Sequence, residues 1–313
     1  MRRFVLRRFL AALPVLLVVL TLSFAMMQLV PGDPVQTMLS AQGSPPTALQ
    51  EQALRHQLGL DQPVIAQYVN YLLGVLQGDL GRSVQTGEPV ISLIGSALLP
   101  SAELALAGLV IGLALGCGVA VLRAVVVFRP LKALLNALPV ISMSMPAYWV
   151  ALVLVEVLSF QFPLFPASGS DSFASLVLPA VTISLPAAGV VGQVLGNGLE
   201  AALADGYIVT ARAKGAGPWR VVLRHALRNA SIPTVTLVGT AIGNLLAASV
   251  VAETVFGRQG LGRLTVTAIT NHDLPVLQGM VALLGVLYVV VNLLVDLMYG
   301  WLDPRVTSGR RLA

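Results

Sequence analysis

The chain has 313 residues, of which 56% are apolar and only 11% charged, and its mean hydropathy is +0.85. That composition excludes a soluble globular domain. The net charge of +5 does not read as nucleic-acid binding, because the basic residues are scattered over four loops instead of gathered on one face. Six uncharged runs are long enough to cross a bilayer as helices: 9–30, 104–122, 133–155, part of 172–199, 229–252 and 274–295. The fold class expected is therefore an all-α polytopic membrane protein with six transmembrane helices. Run 9–30 exceeds the apolar core of a signal peptide and lacks an Ala-x-Ala cleavage site, so it reads as a retained span. An even number of spans puts both termini on one side. The termini and the loops 123–132 and 198–232 hold all 19 Lys+Arg except Arg55, Arg82, Arg258 and Arg263. The positive-inside rule places that side in the cytoplasm.

In chain order, the first span runs into Pro31-Gly32-Asp33-Pro34, where two prolines stop a helix. In the external segment that follows, Thr47-Ala48-Leu49-Gln50 is a capping-box pattern, and the helix it opens is expected to end near Gly59. A second helix is expected over about 63–77, with Ile65, Tyr68, Val69, Leu72, Leu73 and Leu76 on one stripe. The sequence leaves open whether these helices lie on the outer membrane face or pack on the bundle. In the second span, Gly112 and Gly116 stand four apart beside Cys117, a spacing that lets helices approach closely. The single cysteine rules out an internal disulfide. Spans three and four carry Pro139, Pro146, Pro179 and Pro186 inside apolar sequence, and such kinked helices either line a cavity or shape packing. The polar groups available to a cavity are Ser142, Ser144, Gln193, Asn197 and Asn244. Gly243 and Ala247 belong to a run of small residues in the fifth span suited to a helix–helix interface.

The most informative stretch is 205–233, DGYIVTARAKGAGPWRVVLRHALRNASIP, between spans four and five. It carries Arg212, Lys214, Arg220, Arg224 and Arg228 against two acids, Glu200 just before it and Asp205. Residues 205–215 form a short helical sequence, ended by Gly215-Ala216-Gly217-Pro218, which no helix would run through. A short helix across the base of a bundle is suited to being held by another protein.

The pattern Asp205, Tyr207, Ile208, Thr210-Ala211-Arg212-Ala213-Lys214-Gly215, then His225-Ala226-Leu227-Arg228-Asn229-Ala230 and Pro233, resembles the coupling loop of bacterial ABC-importer permeases of the dipeptide/oligopeptide/nickel branch. Gly206 is one extra residue against that pattern. Leu58-Gly59-Leu60-Asp61-Gln62-Pro63, Gly78-Asp79-Leu80-Gly81-Arg82-Ser83 and Leu302-Asp303-Pro304-Arg305 extend the resemblance over nearly the whole chain. Glu253-Thr254-Val255-Phe256-Gly257 through Gly262 matches as well, but Arg258 and Gln259 stand where the branch commonly has an aromatic residue and proline.

The resemblance implies a type I importer permease in the bacterial cytoplasmic (inner) membrane. It implies three divisions: 1–99, an N-terminal span with its external segment; 100–303, a core of five spans; and 304–313, a cytoplasmic tail. It implies partners: a homologous but non-identical second permease, two ABC ATPase subunits that bind the ATP and Mg, and an extracytoplasmic solute-binding protein. Asp205, Tyr207, Thr210, Ala211, Arg212, Ala213, Lys214 and Gly215 would then contact the ATPase. Short peptides are the favoured cargo, with nickel or a nickel chelate as the alternative.

The chain shows no chemistry of its own. It has no G-x-x-x-x-G-K-[ST] nucleotide loop, no G-x-S-x-G elbow, and His56, His225 and His272 lack a second ligand at metal spacing. A non-catalytic subunit without a cofactor is expected. A stand-alone channel or secondary carrier is the reading from a different class, and the chain lacks the internal inverted repeat it would favour.

Overall fold

The computed structural model describes residues 2–29, 35, 47–57 and 60–302. The expected helix stop at 31–34, the expected helix end at Gly59 and the tail beyond 302 lie outside the described residues. The helices are α1 (Arg2–Leu29), α2 (Ala48–Gln57), α3 (Val64–Gln77), α4 (Val90–Val125), α5 (Arg129–Ser144), α6 (Ala147–Val155), α7 (Phe173–Leu203), α8 (Gly206–Ala213), α9 (Leu227–Val255), α10 (Leu261–Thr270) and α11 (Leu274–Leu302). α6 continues as a π-turn, Glu156–Gln161, and a second π-turn, Val221–Ala226, leads into α9.

Among the described residues three helices are long and apolar enough to cross a membrane: Val90–Val125, Phe173–Leu203 and Leu274–Val291. A fourth span results if the bent pair α5–α6 counts as one. This is fewer than the six expected. Run 9–30 as far as Leu29, and run 229–252, lie in the 28-residue α1 and 29-residue α9, whose apolar stretches among the described residues are shorter, Leu13–Ala25 and Gly243–Val255. Run 133–155 departs further, because α5 and α6 meet at 103°. The cause is Pro146. Its ring pushes the preceding residue out of the helical region, and Met145 is extended at φ −80°, ψ 125°. Pro139, by contrast, stays inside α5, and Pro179 and Pro186 stay inside an unbroken α7. Proline removes the N–H that would serve the carbonyl four residues back. For Pro179 that carbonyl belongs to Ser175, and the buried Arg258 directs Nη1 at it over a long 3.5 Å.

The chain divides into two compact units, residues 1–99 with 263–313, and residues 100–262. In the first, α1 lies along α11, with Gly285 accommodating Val19, and Gly279 packs against Val90 and Ile94. Asp273, buried just before α11, accepts from the Ser83 hydroxyl and, at 3.3 Å, from the Val84 N–H. In the second unit α7 is central, touching α5, α6 and α9, and 15 of its residues are buried. Its neighbour α4 presents Gly108, Gly112 and Gly116 to it. A Cβ on Gly116 would sit 2.7 Å from the Ala188 carbonyl, so the glycine spacing sets how closely the two backbones run.

Candidate functional site

At one end of the second unit, eight residues form α8, and the sequence explains both of its ends. Asp205 takes the extended conformation of an N-cap, although its side chain makes no capping hydrogen bond. At the other end Gly215 adopts φ +81°, and its N–H donates to the Arg212 carbonyl at 2.9 Å. The Ala216 N–H donates to the Ala211 carbonyl at 3.1 Å. Together these make the Schellman pair that ends a helix on a left-handed residue. Nothing lies within 4 Å of where a Cβ on Gly215 would be, so its requirement is the backbone angle and not space. Pro218 then opens the next helical turn, where its missing N–H costs nothing.

One side chain holds α8 down. Ile208 is 0% exposed, in a cluster with Leu199 and Ala202 of α7, Val221, Val222 and Ala226 of the π-turn, and Ala120 of α4. A second tie is polar, from the Asn229 amide to the Tyr207 hydroxyl at 3.2 Å. Of the expected ATPase-contact residues, Asp205, Tyr207, Thr210, Arg212, Ala213, Lys214 and Gly215 are exposed, and Ala211 is half-buried. Arg220, Arg224 and Arg228 are exposed too. Glu200, the other acid of the segment, is drawn to Arg123, with Nη2 to Oε1 at 2.9 Å. Arg123 also donates to the Asn197 side-chain oxygen at 3.0 Å, and a Cβ on Gly196 would press on its guanidinium. Thus α4 and α7 are fastened beneath α8, and the exposed face keeps a surplus of positive charge.

The sequence reading missed part of this face. Val209 is 67% exposed and Trp219 52% exposed, with Leu223 also exposed, so apolar side chains stand among the cations. A tryptophan inside a strongly basic loop was the available signal. The residues proposed for a pathway or permease interface do not form one group. Ser142 is half-buried between α5 and α7, where its Oγ would meet a Cβ on Gly189, and it donates to the Pro139 carbonyl at 2.9 Å. Ser144 likewise donates to its own helix, at Val140, and Gln193 is half-buried on α7. Asn197 belongs to the Arg123 cluster. Gly243, Asn244 and Ala247 share exposure on α9, with open space at Gly243.

A contrasting site lies within the second unit, at the end of α9 and the segment that follows it to Gly262. Glu253, 0% exposed, accepts from the Ser101 hydroxyl and, at 2.7 Å, from the Gly262 N–H. Ser101 in turn accepts from the Leu261 N–H at 2.7 Å. The carboxylate and hydroxyl therefore serve the first free donors of α10. Gly260 and Gly262 leave no room for a Cβ, against the Glu253 carboxyl and the Val250 backbone respectively. The Glu253-to-Gly262 motif is thus a packed closure. Among the described residues no group of three His, Cys, Asp or Glu side chains is placed to hold a metal.

Comparison with known proteins supplies the family. Residues 108–308 match the family described as "Binding-protein-dependent transport system inner membrane component", and residues 1–100 match "Binding-prot-dependent transport system membrane comp, N-term". The chain is 36% identical over 307 residues to the glutathione transport system permease protein GsiC of Salmonella typhimurium, covering 98% of this chain and 99% of that one. It is 34% identical over 338 residues to the dipeptide transport system permease protein DppB of Escherichia coli, with the same coverage. In fold it resembles a chain of the MetNI methionine ABC transporter in an inward-facing conformation, at TM-score 0.57 and 19% identity, over 67% of this chain and 96% of that one. A chain from an amino acid ABC transporter with histidines gives TM-score 0.53 and 17% identity, over 66% of this chain and 92% of that one. The chain belongs to the inner-membrane permease family of binding-protein-dependent ABC importers. It is a non-catalytic transport subunit, and the stand-alone channel reading falls away.

Proposed function

We propose that this chain forms half of the import pathway for short peptides, the class that contains both dipeptides and glutathione. The observation that carries the cargo is near-full-length similarity to permeases named for those two substrates. Those relatives favour peptides over nickel. In this reading six helices span the membrane, α1 and α9 included, and both termini lie in the cytoplasm with α8. The other half of the pathway is a related, non-identical permease, and the exposed face of α9 at Gly243, Asn244 and Ala247 suits that contact. An external solute-binding protein delivers the cargo.

The ATPase subunits bind nucleotide and grip α8. A groove with acidic walls and an apolar floor would receive Arg212 and Lys214 beside Val209 and Trp219. The Ile208 anchor makes the push productive, because displacing α8 drags the Val221–Ala226 turn and the base of α7 with it. A rigid-body rocking of packed helices follows, as in other switching transitions. Deleting the gene should abolish growth on a dipeptide or glutathione as sole sulfur or amino-acid source and leave growth under nickel limitation unchanged. The opposite phenotype rejects the peptide assignment. For topology, Gly217→Cys should be labelled only from the cytoplasm, and Ala48→Cys or Gly169→Cys only from outside. Labelling of 217 from outside intact cells would remove α8 from the ATPase side.

A further inference from the structure

We propose that α3 is a membrane-interface helix, seated beside α1 with a stripe of four aliphatic side chains in the lipid of the outer leaflet. Where it sits comes from its contacts. The Tyr68 hydroxyl shares a 2.6 Å hydrogen bond with Thr21 Oγ1, and Gln28 Nε2 donates to Gln67 Oε1 at 3.2 Å. The Phe24 ring lies 5.3 Å from Tyr68 and 5.9 Å from Tyr71. Thr21, Phe24 and Gln28 all lie in the second half of the apolar run 9–30. In the proposed topology that is the outer half of the first span, so these contacts seat α3 at the outer leaflet.

What α3 presents there fits that depth. The helix contains no Asp, Glu, Lys or Arg. Ile65, Val69, Leu73 and Leu76 are exposed, the first at 78% and the last at 82%. At 100° per residue they fall within an arc of about 80°. Asn70 and Gln77, also exposed, lie about a quarter-turn further round, on the side away from Tyr68 and Tyr71. The order round the helix is therefore α1, aliphatic stripe, amides. In a helix lying in the plane of a membrane, such a stripe would be the face buried about 5–10 Å into the headgroup/acyl boundary. On α1 itself, Val18 and Leu22 are exposed as well, at 56% and 57%. Left in water, four such side chains in line would be an aggregation liability.

The test uses nitroxide labels introduced singly at 65, 69, 73 and 76, and at 70 and 77, in a Cys117→Ser background. The full-length chain is purified with the subunits that stay bound and reconstituted in phosphatidylethanolamine–phosphatidylglycerol vesicles. Collisions with oxygen, which concentrates in lipid, and with an aqueous nickel chelate are then compared. The ratio of oxygen to chelate accessibility should be several-fold higher at the four stripe positions than at 70 and 77. Equal chelate accessibility at all six positions overturns the proposal, since the stripe is then in water. Stripe positions shielded from both reagents overturn it as well, since a protein surface then covers them. All six positions are exposed in the structure, so the labels leave the fold intact and no outcome rests on a misfolded variant.

Discussion

Two segments of the second unit are built from similar parts and put together inside out. Both run from the end of a long helix, through glycines and one or two basic residues, into the start of another helix. In 205–218 the side chains face solvent, and the backbone angle at Gly215 and one buried residue, Ile208, set the shape. In 253–262 the charged side chains face inward, with Glu253 and Arg258 both buried and the backbone donors of α10 satisfied by Glu253 and Ser101. The difference separates two uses of a loop. A segment proposed to be held by a partner keeps its chemistry outside and its rigidity in the backbone. A segment that must only stay shut spends its polar groups on itself. Both contain glycine, but for opposite reasons: Gly215 for its angle, Gly260 and Gly262 for their lack of volume.

The comparison breaks first, and hardest, at the glycines. Gly262→Ala places a methyl on the Val250 backbone, which no rotamer change can relieve. The cost should exceed the about 1–3 kcal/mol of ordinary overpacking, so the purified chain should be lost or melt far below wild type. Recovery of a normally stable Gly262→Ala protein would mean the closure is looser than its geometry.

Next comes the anchor. Ile208→Ala removes a fully buried side chain from the cluster beneath α8 and should destabilise by about 2–5 kcal/mol. Uptake should fall more than the amount of chain in the membrane, because α8 would then move without α7. A matched fall in both would leave Ile208 as packing alone.

Much of this was legible beforehand. The end of α8 could be read because Gly215-Ala216-Gly217-Pro218 admits no other backbone, and the start of α3 follows from Pro63 in the same way. The break at Met145–Pro146 was not, since Pro139, Pro179 and Pro186 are the same residue type and leave their helices whole. Whether a proline breaks a membrane helix depends on what neighbours offer the freed carbonyl, as Arg258 does for Ser175. Ser142 and Asn197 show the same limit from the other side. Their polarity was visible, but the partner each one faces comes from another helix or from its own backbone, and local sequence does not hold that information.

A smaller effect on stability is expected at Gly215. Gly215→Val finds free space but must hold φ near +81°, which costs an L residue about 1–2 kcal/mol. The chain should insert and purify, while peptide-stimulated ATP hydrolysis separates from uptake because α8 no longer ends at the right angle. Gly215→Asn, which tolerates the left-handed region better, should restore most of the uptake. If valine and asparagine behave alike, backbone angle is not what this position contributes.

The smallest stability change, and the sharpest separation of the two segments, comes from reversing charge. Arg212→Glu with Lys214→Glu alters only exposed groups, so melting should stay within about 0.5 kcal/mol of wild type. Uptake should nonetheless be lost, since the reversed, now negative face would meet the proposed acidic walls with like charge. High salt should weaken wild-type coupling in the same direction, because exposed charges are screened beyond about 10 Å at 0.1 M. The same reversal at Arg258 acts where Glu253 is already buried, adding an uncompensated acid to an interior. There the chain itself should fail, with no stage at which a stable protein transports poorly. An Arg258→Glu chain that folds normally, or an Arg212→Glu, Lys214→Glu chain that melts early, would erase the distinction between a loop that is held and a loop that holds.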